Sequence, residues 1–181
     1  MKNDIVEKLS GLLENENYVI HEEIGSGANG QVFKGVQKNT DRKVAIKVWI
    51  PNKKSKNGKV SEEQFLREVQ KVAQLKHKNI VTIYDAKILE GFYICIMEYV
   101  SGITLKEWLR RNHSKGKKIA LLTEVLDTVL FYQEKGIIHG DLHGRNIIVK
   151  EEGQIQIIDF GTRACLKNKI CTKRMFFVPF L

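Results

Sequence analysis

Apolar residues along this chain change period from segment to segment, and the changes mark out its elements. Ile5, Val6, Leu9, Leu12 and Leu13 recur at helical spacing, weakened by Gly11, and predict a lead-in helix within residues 1–17 that packs on the rest. Strand-like runs follow at Tyr18–Ile24, Gln31–Val36 and Lys43–Ile50, joined by glycine or polar turns. Ser61–Lys76 reads as a helix, with Ser61 as N-cap and Gln64 completing a capping box. Two more strands are expected at Val81–Ile88 and Phe92–Tyr99, then helices over Leu105–Arg111 and Ile119–Lys135, the second stopped by Gly136. On that last helix Ile119, Leu121, Leu122, Val125, Leu126, Val129, Leu130 and Tyr132 cover close to half the circumference, with Phe131 on the far side. So wide an apolar surface needs partners on more than one flank.

Two positions break the apolar pattern in a way that matters. In Val44-Ala45-Ile46-Lys47-Val48-Trp49-Ile50 the branched residues share one face, and Lys47 lies on the other with Ala45 and Trp49. On the Ser61–Lys76 helix Phe65, Val69, Val72 and Leu75 form the buried stripe, and Glu68 falls between Val72 and Leu75. A carboxylate within an apolar stripe is costly unless a cation meets it, and Lys47 is the candidate. The bland alternative is that each side chain simply reaches solvent.

Gly25-Ser26-Gly27-Ala28-Asn29-Gly30 fits G-x-G-x-x-G. A dinucleotide fold would continue with a helix whose N-terminus meets the pyrophosphate. Here Gln31-Val32-Phe33-Lys34 continues as a strand, so a hairpin tip whose backbone amides approach phosphates fits better. Near the end of the chain, Ile147-Ile148-Val149 and Ile155-Gln156-Ile157-Ile158 flank the turn Glu151-Glu152-Gly153. In an antiparallel pair the start of the first strand lies beside the end of the second. Asp141 and Asn146, before the first strand, therefore converge with Asp159, after the second. This donor set suits Mg²⁺, a hard cation that prefers oxygen and keeps substrate phosphates in its shell.

Composition narrows the setting. The chain has 181 residues, 43% apolar and only two prolines, enough for one domain or a small pair of lobes. It has no apolar run long enough to span a bilayer, and its three cysteines, Cys95, Cys165 and Cys171, are odd in number and lack a paired metal spacing, which fits reduced thiols. A cytoplasmic, non-membrane protein is expected. The net charge of +9 invites a nucleic-acid reading, but much of it lies in 53–59, which lacks interleaved aromatics, and in the Arg163–Arg174 tail. No specific nucleic-acid partner is expected.

The string His139-Gly140-Asp141-Leu142-His143-Gly144-Arg145-Asn146, followed by Asp159-Phe160-Gly161, resembles the protein-kinase superfamily, with its H-R-D-x-x-x-x-N and D-F-G loops. Val44-Ala45-Ile46-Lys47, His77-Lys78-Asn79-Ile80-Val81 and Ile96–Leu105 also resemble that family, the last its interlobe hinge. The resemblance implies an α+β, bilobal fold over residues 18–181, with an N-lobe and hinge over 18–100 and a partial C-lobe over 101–181. It implies transfer of the ATP γ-phosphate to a Ser/Thr hydroxyl of a protein, with Mg²⁺. Asp141 would handle the acceptor proton, Asn146 and Asp159 would hold Mg²⁺, and Lys47 paired with Glu68 would hold the phosphates. Ile24, Gly25, Ser26, Gly27, Ala28, Asn29, Gly30 and Val32 would cover the nucleotide. Ala45, Met97, Glu98 and Val100 would line its base, with backbone bonds at Glu98 and Val100.

Departures limit the match. Gly140 replaces the arginine that pairs with a phosphorylated activation loop, and His143 replaces a lysine common in Ser/Thr kinases; Arg145 could supply that charge. His-Gly-Asp-Leu-His is also similar to small-molecule phosphotransferases of the aminoglycoside and choline kinase type. Only residues 162–181 follow Gly161, without an Ala-Pro-Glu motif, so a C-terminally truncated domain is expected. That expectation brings two others: self-association through exposed C-lobe surface, and a non-catalytic nucleotide-binding module as a rival reading.

Overall fold

The computed structural model describes residues 2–27, 30–49 and 62–160. Ala28, Asn29, Ser61 with its expected cap, Gly161, Cys165, Cys171 and the two lysine-rich segments lie outside the described residues.

The first half is a five-stranded antiparallel sheet between two helices. In chain order come α1 (Lys2–Asn15), β1 (Tyr18–Gly27), β2 (Gly30–Gln37), β3 (Arg42–Trp49), α2 (Glu62–Ala73), β4 (Ile83–Leu89) and β5 (Phe92–Glu98). The strands lie in the order β1-β2-β3-β5-β4. Side chains alternate across a pleated sheet, so β3 feeds two separate cores. Val44, Ile46 and Val48 pack with Leu9 and Leu13 of α1, Phe33 of β2 and Phe92, Ile94 and Ile96 of β5. Ala45 and Trp49 face α2, packing with Phe65, Val69, Tyr93, Cys95 and Met97. Trp49, Phe65 and Tyr93 form an aromatic trio with ring centroids 4.7–5.3 Å apart. Of the expected stripe, Phe65 and Val69 are buried on α2 and Val72 packs against the C-lobe cluster, while the helix ends at Ala73 rather than Lys76 and Leu75 is buried just beyond it.

The second half continues with β6 (Ile103–Thr104), α3 (Leu105–Arg110), α4 (Lys115–Glu134), β7 (Ile147–Val149) and β8 (Ile155–Ile157), the three strands forming a small sheet. Thr104 and Glu107 make a reciprocal capping box at α3, and Ser114 caps α4 by accepting from Lys117 N–H. α4 thus starts one turn earlier than the apolar spacing predicts, because its first turn is Lys-Gly-Lys-Lys and only the cap marks it. Leu121, Val125, Val129 and Tyr132 bury against Leu105, Ile147, Val149, Ile155 and Ile157. Phe131 is also corrected: it packs against this core and lies on the His77 ring, centroids 4.6 Å apart. Ile119, Leu126 and Leu130 remain 55%, 47% and 56% exposed.

The two halves are joined through the link between α2 and β4. Val81 N–H donates to Ile157 O at 3.0 Å, and Ile157 N–H to Asn79 O at 2.7 Å. The buried Asn79 amide donates to Thr128 Oγ1 at 3.0 Å and Glu124 Oε1 at 3.1 Å on α4. An amide so placed is tolerated because each donor is satisfied.

Candidate active site

The β7–β8 pairing brings the sequence-distant acidic and amide residues together. Ile147 sits opposite Ile157, so the loop before β7 meets the residues after β8. Ile158 N–H donates to Asn146 O at 2.9 Å, which sets Asn146 beside the residue preceding Asp159. Asn146 Nδ2 donates to Asp141 O at 2.9 Å, so its side-chain oxygen is turned away from that contact. Lys106 N–H bonds Gly144 O at 2.9 Å, pinning the loop to α3.

His139 organises the same loop from within. It is buried, its Nδ1 accepts from Asp141 N–H at 3.4 Å and its Nε2 lies 3.0 Å from Ile158 O. Those partners require the proton on Nε2. Burial pushes its pKa below the ordinary histidine value, against the smaller opposing pull of the Ile158 carbonyl and nearby carboxylates. Phe160 packs on the His139 ring, centroids 4.6 Å apart, and edge-on to Tyr132 at 5.3 Å.

Lys47 is 4% exposed, on the α2 face of β3, and its ammonium forms an ion pair with Asp159 Oδ1. The expected Lys47–Glu68 pair is not made. Glu68 instead bonds Lys71 one turn along α2, at 3.0 Å, and is half-exposed. The reason is local: an i,i+3 cation is always within reach on a helix, while Lys47 finds a closer carboxylate across the cleft. Such a surface pair contributes only a few tenths of a kcal/mol, about 0.2–0.5, so it is readily exchanged. His143 Nε2 stands 3.9 Å from Asp141 Oδ2, and Arg145 is exposed.

Two glycine positions separate what the fold needs from what it leaves open. Gly27 pairs with Gly30 at the tip of the β1–β2 hairpin. Gly30 has φ +108°, and a Cβ there would come within 2.3 Å of Val48 O, so only glycine fits. A Cβ on Gly27 would meet nothing within 4 Å. Gly140 has φ +79°, a conformation an arginine would adopt only under strain.

At the hinge, Met97 is buried, pairing with Ala45 and Ile83, while Glu98 and Val100 are half-buried. Glu98 N–H donates to Thr82 O at 2.9 Å. Ile24 is exposed and Gly25 and Val32 face each other across the hairpin; Ser26 pairs with Gln31. Sequence reading missed three features: the Lys47–Asp159 pair, the Asn79 anchor on α4, and the contact between Glu98 and Gln156 described below. For the last a signal existed, since Gln156 is the lone polar residue in Ile155–Ile158.

A glycine hairpin, a buried lysine and an Asp–Asn–Asp set at the end of a C-lobe hairpin define a nucleotide phosphotransfer fold. A profile described as the protein kinase domain matches residues 18–179, and the chain belongs to that family. It is 34% identical over 161 residues to a probable serine/threonine-protein kinase PknB of Lactococcus lactis, covering 87% of this chain and 25% of that protein. It is 32% identical over 157 residues to serine/threonine-protein kinase PrkC of Bacillus subtilis, covering 86% of this chain and 24% of the relative. The Schizosaccharomyces pombe kinase shk1/pak1 is 33% identical over 152 residues, with 83% and 22% covered. The chain thus spans about a quarter of the length of these curated relatives. The profile starts at residue 18, immediately after α1 and its short connection to β1.

Proposed function

We propose that this chain carries the nucleotide-binding and phosphoryl-transfer machinery of a Ser/Thr protein kinase, with residues 18–100 as N-lobe and hinge and 101–181 as partial C-lobe. The observation that carries this reading is the buried Lys47 held by Asp159 at the point where Asn146 and the Asp141 loop converge. A lysine is kept charged and buried only where anions meet it, and ATP phosphates are such anions.

The donor chemistry fits Mg²⁺. Asn146 offers its side-chain oxygen because its amide nitrogen is already committed to Asp141 O, and Asp159 offers the carboxylate oxygen that Lys47 does not take. When bound, the ion would neutralise charge on the phosphates being transferred. Lys47 would steady the α- and β-phosphates, with Glu68 exchanging Lys71 for it, and Asp141 would orient the acceptor hydroxyl and receive its proton. Gly25–Gly30 would cover the phosphates, and the room at Gly27 supports their close approach. Ile24, Val32, Ala45, Met97 and Val100 would line the base, with the Glu98 carbonyl and Val100 amide as its backbone partners. Arg145, exposed beside the loop, would add positive charge on the acceptor side. The positive φ of Gly140 supports a loop that does without the arginine used to read a phosphorylated activation segment.

The relatives' names support a protein acceptor rather than a small molecule, and the full Lys47, Asp141, Asn146 and Asp159 set supports catalysis over a non-catalytic module. No helix among the described residues is long and apolar enough to cross a membrane. We place the domain in the cytoplasm, a reading supported by unpaired Cys95. The exposed Ile119, Leu126 and Leu130 support self-association through α4.

ATP titrations with and without Mg²⁺ test the site. Asp159→Ala should weaken Mg²⁺-dependent binding at least tenfold, about 1.4 kcal/mol, and metal-free binding much less. Equal loss in both conditions would overturn the assignment of Asp159 to the metal. Transfer of labelled γ-phosphate to a generic protein substrate tests the reaction itself.

A further inference from the structure

Gln156 is only 2% exposed, yet its amide is held on two sides. Nε2 donates to Glu98 Oε2 at 2.7 Å and to Ile80 O at 3.5 Å, while Oε1 is buried with no partner among the described residues. The amide cannot be turned round, because its oxygen would then face both a carboxylate and a carbonyl. Its orientation is therefore fixed by Glu98, and the oxygen's isolation is the consequence. The 2.7 Å contact has the length of a charge-assisted bond.

Glu98 is the end of β5 and the start of the hinge. Its carboxylate also lies 3.5 Å from Thr82 N–H and 3.9 Å from Lys150 Nζ. One side chain therefore gathers the entry to β4 in the N-lobe, β8 in the C-lobe and the end of β7. The backbone of Glu98 is tied separately, its N–H to Thr82 O at 2.9 Å. The Cα from which the Glu98 carbonyl extends is thus held from both its N–H and its side chain.

We propose that Glu98 and Gln156 form a hinge clamp, with Gln156 acting as a positioning residue that aims the hinge carbonyl at the nucleotide base. This rests on the nucleotide reading given above. The clamp acts on the base end of the ligand, whereas Lys47 and Asp159 act on the phosphate end. Loss of the clamp should therefore weaken ATP binding without weakening inorganic tripolyphosphate binding.

The test compares the full chain with Gln156→Leu, Glu98→Gln, Gln156→Glu and the exchanged pair Glu98→Gln/Gln156→Glu. Each is titrated with MgATP and with magnesium tripolyphosphate, and each is checked by thermal melting. Gln156→Leu should lose about tenfold in ATP affinity, the worth of one hydrogen bond to a charged group, with tripolyphosphate affinity held within about twofold. Gln156→Glu, which opposes two carboxylates, should lose more. The exchanged pair restores an amide facing a carboxylate but leaves the carboxylate at 156 against Ile80 O, so it should recover part of the ATP affinity that Gln156→Glu loses, without reaching the parent.

Parallel losses for both ligands, or an exchanged pair no better than Gln156→Glu, would assign Gln156 a purely structural role and overturn the clamp. Should Gln156→Leu fail to fold, Gln156→Glu and the exchanged pair decide by the same criteria. A parent chain that binds tripolyphosphate but not ATP overturns the clamp while leaving a phosphate site. One that binds neither removes the nucleotide reading on which the clamp stands.

Discussion

Among the described residues the five-stranded sheet has a helix packed on each face, whereas α4 packs along one side. α1 seals one side of the sheet with Leu9 and Leu13, α2 seals the other with Phe65 and Val69, and each side has its own apolar cluster. α4 buries Leu121, Val125 and Val129 against the catalytic hairpin but leaves Ile119, Leu126 and Leu130 to solvent. The N-lobe sheet thus has, among the described residues, an apolar cluster on each face, while the helix beneath the catalytic loop keeps three apolar side chains exposed. α1 packs on its face of the sheet from outside the residues matched to the kinase domain.

The largest expected effect breaks the sealed side. Leu13, fully buried between α1 and the sheet, should lose about 2–5 kcal/mol as Leu13→Ala, the usual cost of emptying a core leucine. Leu130→Gln, on the exposed stripe, should change stability by no more than about 0.5 kcal/mol while lowering self-association. Urea unfolding measures the first and sedimentation against concentration the second. Equal destabilisation by the two would mean that α4 is as fully covered as the sheet.

What could be read from sequence divides along the same physical line. The catalytic hairpin was legible because its turn is local: a few residues separate Ile147–Val149 from Ile155–Ile157, and the pleat then dictates that Asp141, Asn146 and Asp159 meet. The two faces of β3 were legible for the same reason, since alternation is a property of the strand itself. The partner of Lys47 was not, because Asp159 lies 112 residues away and competes with Glu68 only once the lobes are assembled. Glu68 was rightly placed near the buried stripe but its cation came from its own helix. The start of α4 was hidden because capping by Ser114 uses a side-chain hydrogen bond and leaves no apolar period. Assignments at Ala28, Asn29 and Gly161 fall outside the described residues.

A smaller effect should separate the catalytic loop from the sheet by pH. Folded His139 resists protonation because burial lowers its pKa, so the unfolded chain binds more protons once pH falls below the ordinary value of 6.5. Its contribution is fully present above that value and declines as pH falls toward the lowered one. Urea midpoints should therefore drop between pH 7.5 and 5.5, and His139→Gln should flatten that dependence. An unchanged slope in His139→Gln would mean that the drop originates elsewhere.

The finest test uses Cys95 as a reporter of the sealed sheet. It sits on β5 opposite Lys47 in β3, almost fully buried. Burial pushes its thiol up to about 12, outweighing the opposite pull of the Lys47 cation. The thiolate is the reactive species, so the folded state should be inert and maleimide should reach Cys95 only when the N-lobe opens. In a Cys165→Ser/Cys171→Ser background the labelling rate then reads N-lobe opening alone. Leu13→Ala should speed it roughly 30-fold for a 2 kcal/mol loss, and Leu130→Gln should leave it unchanged. Equal acceleration by both substitutions would show that the sheet opens together with α4, and fast labelling of the parent would show that the sheet is not sealed; either result breaks the contrast between the sheet and α4.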